Sequence, residues 1–137
     1  MNEYSMQDMD SVLRAAFKKI YEKSDSDGSV RIPFSPIAKK TLVEIRRGAL
    51  EERRRVAVFL PAMPAWEFGL HLIGSMARIP MWWMCNCWME DQDWADITSA
   101  IYALKKTDME VCEQPLTIYP QGYDRVYVIR SAKPPPG

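Results

Sequence analysis

Few residues in this chain are equipped for chemistry. The only histidine is His71, and the cysteines are Cys85, Cys87 and Cys112. Cys85-Asn86-Cys87 has CxC spacing rather than the CxxC of common zinc sites, and only His71 could add a nitrogen ligand. The thiols therefore read as buried or half-buried side chains, and no metal is expected. His71 falls within an expected helix and reads as an exposed helix residue. No Ser/His/Asp or Cys/His arrangement follows from spacing. Arg46 and Arg47 with Arg53, Arg54 and Arg55 form the one basic concentration, interleaved by Glu44, Glu51 and Glu52. That mixture fits a solvated, salt-bridged helix end better than a phosphate-binding patch.

Composition frames these residues. A chain of 137 residues, 47% hydrophobic and 26% charged, suits one soluble globular domain with a proper core. The 18 basic and 18 acidic residues cancel, so net charge gives no support for nucleic-acid or membrane attraction. No apolar run approaches the roughly 20 residues of a membrane span. Met1 to Asp10 is acidic and lacks a secretory pattern, and the cysteine count is odd. The expected location is the cytoplasm.

The elements follow from periodicity. Ser5-Met6-Gln7-Asp8 resembles a capping box. Val12, Leu13, Ala16, Phe17, Ile20 and Tyr21 then recur at helical spacing as one apolar stripe. That helix should stop near Ser24, where residues 24–29 read as a flexible linker, leaving it free to pack on a neighbour. Val30 to Phe34 is a possible short strand. A helix is expected from Ala38 to about Glu52, with Leu42, Ile45, Ala49 and Leu50 on one face. Val56 to Leu60 is continuously apolar, as in a strand covered on both faces. Pro64 opens a helix that ends before Pro80. Glu90 or Asp91 caps the next, which carries Trp94, Ile97, Ile101 and Leu104. Leu116 to Tyr119 and Val126 to Ile129 read as strands, and the short gap between them suits a hairpin rather than a parallel crossover. Residues 133–137 form a proline-rich tail, expected to be disordered. The divisions are 1–29, an N-terminal helix and linker; 30–132, an α/β domain; and the tail.

From Arg55 to Ile118 the order of residues resembles the motor domain of the DnaB family of replicative helicases. Val56-Ala57-Val58-Phe59 and Met63-Pro64-Ala65 are similar to its second core strand and the helix start that follows. Leu70, Leu72, Ser75 and Ala77-Arg78-Ile79-Pro80 continue the match. Met89, Asp91, Asp93-Trp94, Ile97-Thr98, Ala100 and Leu104 resemble its "L-x-D-x-D-W" helix, and Pro115-Leu116 with Ile118 the start of its next strand. Upstream, Ser11 to Ser24 resembles the linker helix that docks on the adjacent subunit of the hexamer. Phe34 to Thr41 falls where the family has its P-loop. The resemblance implies a partial RecA-like layered α/β fold, with a few-stranded sheet, flanking helices and a protruding N-terminal helix.

The resemblance also implies that the engine is lost. A P-loop needs glycines so that its backbone N–H groups can wrap the phosphates. In the GxxxxGK[ST] pattern Phe34 stands at the first glycine and Lys39 at the second, while Lys40 and Thr41 remain. The position of the glutamate that activates water is Ala62, which can neither accept a proton nor orient water. If Val126 to Ile129 matches the magnesium-site strand, Arg130 stands at its aspartate position. No ATP hydrolysis and no bound cofactor are expected.

Where the family is polar, this chain carries Trp82, Trp83, Met84, Cys85, Cys87, Trp88 and Met89. Exposed tryptophans forfeit several kcal/mol each, at about 25 cal/mol per Å² of apolar area. They either cover a core laid bare by the missing half-domain or meet a partner. The expected function is a non-catalytic interaction protein that binds or regulates a replicative helicase or its loader. The contact residues would be Val12, Leu13, Phe17, Ile20 and Tyr21 of the helix, with Trp82, Trp83, Met84 and Trp88 of the patch. The alternatives are a self-associating structural protein and a nucleic-acid-binding accessory protein, the latter opposed by the neutral charge; residual nucleotide binding without turnover is a further option.

Overall fold

A computed structural model describes residues 4–24, 36–84 and 89–130, without the side chains of residues 21–24 and 82. The tail, the linker, the possible strand up to Phe34, and the patch residues Cys85, Cys87 and Trp88 lie outside the described residues. Within them the chain is mixed α/β, and the elements in order are β1 (Gln7–Asp8), α1 (Met9–Ser24), α2 (Lys39–Arg46) continued by a π-helical turn (Arg47–Glu51), β2 (Val56–Phe59), α3 (Ala65–Ala77), α4 (Met81–Met84), α5 (Asp91–Lys105), β3 (Met109–Cys112) and β4 (Arg125–Val128).

The sheet has the order β1-β3-β2-β4. β2 pairs in parallel with β3, Val56 opposite Met109 and Phe59 opposite Cys112, and in parallel with β4, Val56 opposite Arg125 and Phe59 opposite Val128. β1 is antiparallel to β3 at the edge. Side chains alternate across a strand, so this register sorts the sheet into two faces. Val56, Val58, Leu60, Met109, Val111 and Ile129 join the core beneath α1, α2, α3 and α5. Ala57, Phe59 and Cys112 face the other way, under Tyr4, Met6, Leu116, Tyr123, Val126 and Val128. Helices thus cover one face, and two stretches of irregular chain cover the other.

Two expectations change here. The strand after α5 is Met109–Cys112, not Leu116–Tyr119, and the expected hairpin is absent. Ending β3 at Cys112 frees residues 113–124 to run back along the sheet, so β4 enters parallel on the far side of β2. Tyr4 pins this return. Its hydroxyl accepts from the N–H groups of Thr117 (2.9 Å) and Ile118 (2.7 Å) and donates to the Ile118 carbonyl (2.7 Å). Its ring stands edge-on to Phe59, centroids 4.8 Å apart.

At the other end of the crossover, Arg55 is the clamp. Its guanidinium donates to Glu110 (3.0 Å) and to the Gly122 carbonyl (3.2 Å), and lies over the Tyr123 ring at 4.7 Å. Its backbone N–H donates to Asp124 (2.8 Å), and its carbonyl accepts from the Asp124 N–H (2.7 Å). The Tyr123 hydroxyl donates to the same Glu110 oxygen at 2.7 Å.

The third correction concerns α1, which does not protrude. Val12, Leu13, Ala16 and Ile20 are no more than 1% exposed and share one core with α3 and α5. The reason lies on α3, where a Cβ added at Gly69 would stand 3.1 Å from both Ala16 Cβ and Val12 Cγ1. Glycine lets the two helices meet backbone to side chain, so the stripe seals against its own domain. Ionic contacts fix the rotation: Asp10 pairs with Lys105 of α5 (3.0 Å) and with Arg14 (2.8 Å). The helix is capped by Asp8, which accepts from the Ser11 N–H at 2.9 Å, and not by Ser5. That hydrogen bond holds the Asp8 carboxyl below its usual range.

Two outcomes follow. Gly69→Leu should lose about 1–3 kcal/mol of stability through overpacking, read by urea unfolding, with α1 amides the first to lose hydrogen-exchange protection; unchanged stability would contradict the close approach. Burial, with the hydrogen bond to Glu110, raises the Tyr123 phenol to about 12 from 10.0. The unfolded chain then ionises this group first, so its contribution is complete below about pH 10 and is lost as pH rises towards 12. Phenolate absorbance should show one late-titrating tyrosine that vanishes in Tyr123→Phe; no such step would contradict the contact.

Candidate functional site

In open α/β sheets, ligands gather beyond the carboxyl ends of parallel strands. β2 leads there into Leu60-Pro61-Ala62-Met63, and Pro64 sets an extended N-cap before α3. Ala62 is exposed and presents only a methyl group. A free helix N-terminus at such a place would attract an anion. Here the first N–H of α3, that of Ala65, already donates to Glu113 Oε2 at 2.8 Å. Gln7 donates to the other Glu113 oxygen at 3.2 Å. Glu113 follows directly on β3, so the end of one parallel strand plugs the helix that follows the next. Beside it, Gln114 Oε1 accepts from the Ser5 N–H (2.8 Å) and from the Cys112 thiol (3.3 Å). Arg130, just beyond β4, is exposed.

The Lys-Thr pair expected at a P-loop stands at the start of α2. Lys39 and Lys40 are exposed and Thr41 is half-buried, behind the N-cap Ala38, which provides no side-chain cap. Phe34 lies outside the described residues. Among the described residues no group of three or more His, Cys, Asp or Glu is placed to hold a metal.

The residues expected to meet a partner divide sharply. Val12, Leu13 and Ile20 are spent on the domain's own core, and Met84 is fully buried at the end of α4. This corrects their assignment as an open contact surface. Phe17 is half-buried and stands edge-on to Trp94 at 6.2 Å. The Tyr21 and Trp82 side chains and all of Trp88 fall outside the described residues. Trp83 is 36% exposed. Sequence reading missed Tyr102, Ile118 and Tyr119, which are 64%, 72% and 64% exposed. Ile118 and Tyr119 had been read as strand, but Pro115 and Pro120 flank them, a signal against a paired central strand.

The arginines also part company. Arg47 pairs with Glu51 (3.7 Å), Arg55 with Glu110, and Arg125 with Glu52 (3.0 Å), as a salt-bridged surface would. Arg46 instead turns into a cleft of about 620 Å³ between α2 and α3. Lys39, Val43 and Arg46 share the spacing i, i+4, i+7, which aligns them on one face of α2, and His71 and Ser75 stand at i, i+4 on α3, with Arg78 just past its end. That double pattern was available in the sequence. Which two helices face each other was not.

No family model matches the chain, and neither a curated protein nor a solved structure matches it.

Proposed function

We propose that this chain is a catalytically inert relative of the DnaB-type motor, built on part of a RecA-like fold, that acts by binding a replicative helicase or its loader. The observation that carries the reading is the chemistry at the strand ends. The position that would hold a water-activating glutamate carries Ala62, and the α3 N-terminus is taken by Glu113 at 2.8 Å. Arg130 follows β4, which pairs in parallel with β2. A methyl group cannot accept a proton or orient water, the Glu113 carboxylate already accepts from the Ala65 N–H and from Gln7, and a cation at the Arg130 position would repel magnesium.

What remains for function is surface. The sheet face opposite the helices carries a single layer of chain, and its outer residues Ile118 and Tyr119 are among the most exposed large apolar groups of the described chain. Trp83 is a second exposed aromatic group. Aromatic anchors of this kind dominate binding energies when a partner covers them. The α1 stripe can contribute only if the helix leaves its seat over Gly69, which sets the contact on these exposed groups.

Mixing the pure protein with a DnaB-type helicase, and separately with its loader, should give a co-migrating complex in size-exclusion chromatography with light scattering. Tyr119→Asp or Trp83→Asp should weaken it at least about tenfold, the loss of about 1.4 kcal/mol. Failure to bind both proteins rejects the proposal, and a stable dimer without such binding favours self-association. Phosphate release from ATP with Mg²⁺ should lie at least about 10⁴-fold below that of an active motor, since each missing group carries 10²–10⁴. Turnover at motor-like rates would reject the inert reading.

A further inference from the structure

The cleft between α2 and α3 has a chemistry that the strand ends lack. Lys39, Arg46 and Arg78 line it, with His71 and Ser75, and no carboxylate is among its lining residues. Among the described residues, none gives Lys39, Arg46 or Arg78 an ion-pair partner, whereas Arg47, Arg55 and Arg125 are paired. Arg46 Nε is shielded from solvent, and none of the described residues offers it a hydrogen-bond acceptor. A buried donor on a charged group is costly to leave unmade, and such atoms are exceptions that call for an explanation.

Arg78 adds an independent observation. It ends α3 in the left-handed region, φ 59°, ψ 41°, where glycine is the usual residue because a Cβ is penalised. Its N–H closes the helix on the Gly74 carbonyl. Gly74 itself has no room for a side chain: a Cβ there would stand 2.8 Å from the Ile79 carbonyl oxygen. The turn from α3 towards α4 is thus drawn tight while an arginine occupies its strained position, and that arginine lines the cleft. Arg53, outside the cleft, takes the same conformation (φ 52°), so what sets Arg78 apart is its place on the lining.

The rest of the lining decides the kind of ligand. Leu42, Ile79 and Met81 give the cleft apolar walls, and about 620 Å³ is room for far more than a bare ion. Three unpaired cations balance a doubly charged anion better than a single carboxylate, and the guanidinium fork matches phosphate oxygens. We infer that the cleft between α2 and α3 binds a small phosphate monoester with an apolar body, held by Lys39, Arg46 and Arg78. None of Ala62, Glu113 and Arg130 lines this cleft, so the inference does not rest on the helicase reading.

Titration calorimetry of the full chain with phenyl phosphate, inorganic phosphate and phenol tests it. Phenyl phosphate should bind at least about tenfold tighter than inorganic phosphate, weaken as salt is raised, and phenol should not bind. Arg78→Gln and Lys39→Gln should each weaken phenyl phosphate at least about threefold, while Arg47→Gln, outside the cleft, should leave it unchanged. Arg46→Gln should weaken it most, and if that variant fails to fold, the two exposed positions still decide. The inference is overturned if phenyl phosphate gives no heat at millimolar concentration, if it binds no tighter than inorganic phosphate, or if Arg78→Gln and Lys39→Gln bind like the parent protein.

Discussion

Val56 to Leu60 has no solvent on any side, and every residue in it is fully buried. A strand in that position must be hydrogen-bonded along both edges and covered on both faces, because an unpaired backbone group there would cost as much as a lost hydrogen bond. β3 and β4 satisfy its edges, and both run parallel to it. Parallel neighbours demand crossovers, which must return the chain to the starting end. The first is built from α3, α4 and α5. The second is the irregular segment 113–124, held at one end by Tyr4 and at the other by Arg55. The extra ladder bonds from Leu60 to Cys112 and from Ile129 to Phe59 continue the pairing past the strand ends. What stands at those ends, Ala62 and Glu113 included, is therefore placed by the need to keep β2 dry.

The same demand explains α1. α3 is buried from Ala65 to Gly74 on most of its circumference, because the sheet lies below it and α1, α2 and α5 flank it. Without α1, the Val12–Ile20 stripe and the α3 surface it meets would both face water. Full burial of one large aliphatic side chain is worth about 1.5–3 kcal/mol, and the stripe holds several. An amphipathic helix shows in sequence that it needs a groove but not which groove. Here the complementary signal is the smallness of Gly69 on another helix. A contact that used α1 in trans would first have to replace that burial with an equal one.

Much of the architecture was legible for related reasons. The continuous apolar run of β2, the proline at the head of α3, and the Glu90 boundary of α5 are local signals, and each element lies within a residue or so of its expected place. β3 was missed because Met109-Glu110-Val111-Cys112 alternates weakly, and its one outward charge is satisfied by Arg55 and Tyr123, far away in sequence. Leu116 to Tyr119 looked the better strand by hydrophobicity alone, yet its residues are mostly exposed. Of the candidate site, Ala62 could be read from residue order. Glu113 could not, since its role depends on β3 ending beside the start of α3. Arg46 was grouped with Arg47 as a solvated pair because one residue of helical rotation, about 100°, sends the two to different surroundings.

The distribution of charge ties these results together. The chain as a whole is neutral, with 18 charges of each sign, but neutrality in sum permits imbalance in place. Several acids are consumed within the fold: Glu110 and Asp108 by Arg55, Glu52 by Arg125, Asp10 by Lys105, and Glu113 by the α3 N-terminus. Each of these contacts closes a junction of the fold. At the strand ends the effect is to supply an anion from within, which removes the reason for a phosphate to bind there. Between α2 and α3 the opposite holds, because three cations line the cleft and no acid is among the lining residues. Like charges gathered in a cleft oppose folding unless solvent or a counter-ion screens them; Lys39 and Arg78 reach solvent, while Arg46 is half-buried with its Nε shielded. The strand-end place is met by the carboxylate of Glu113, and the cleft is lined by Lys39, Arg46 and Arg78 with no carboxylate beside them, so the same overall neutrality leaves two places of opposite character toward an anion.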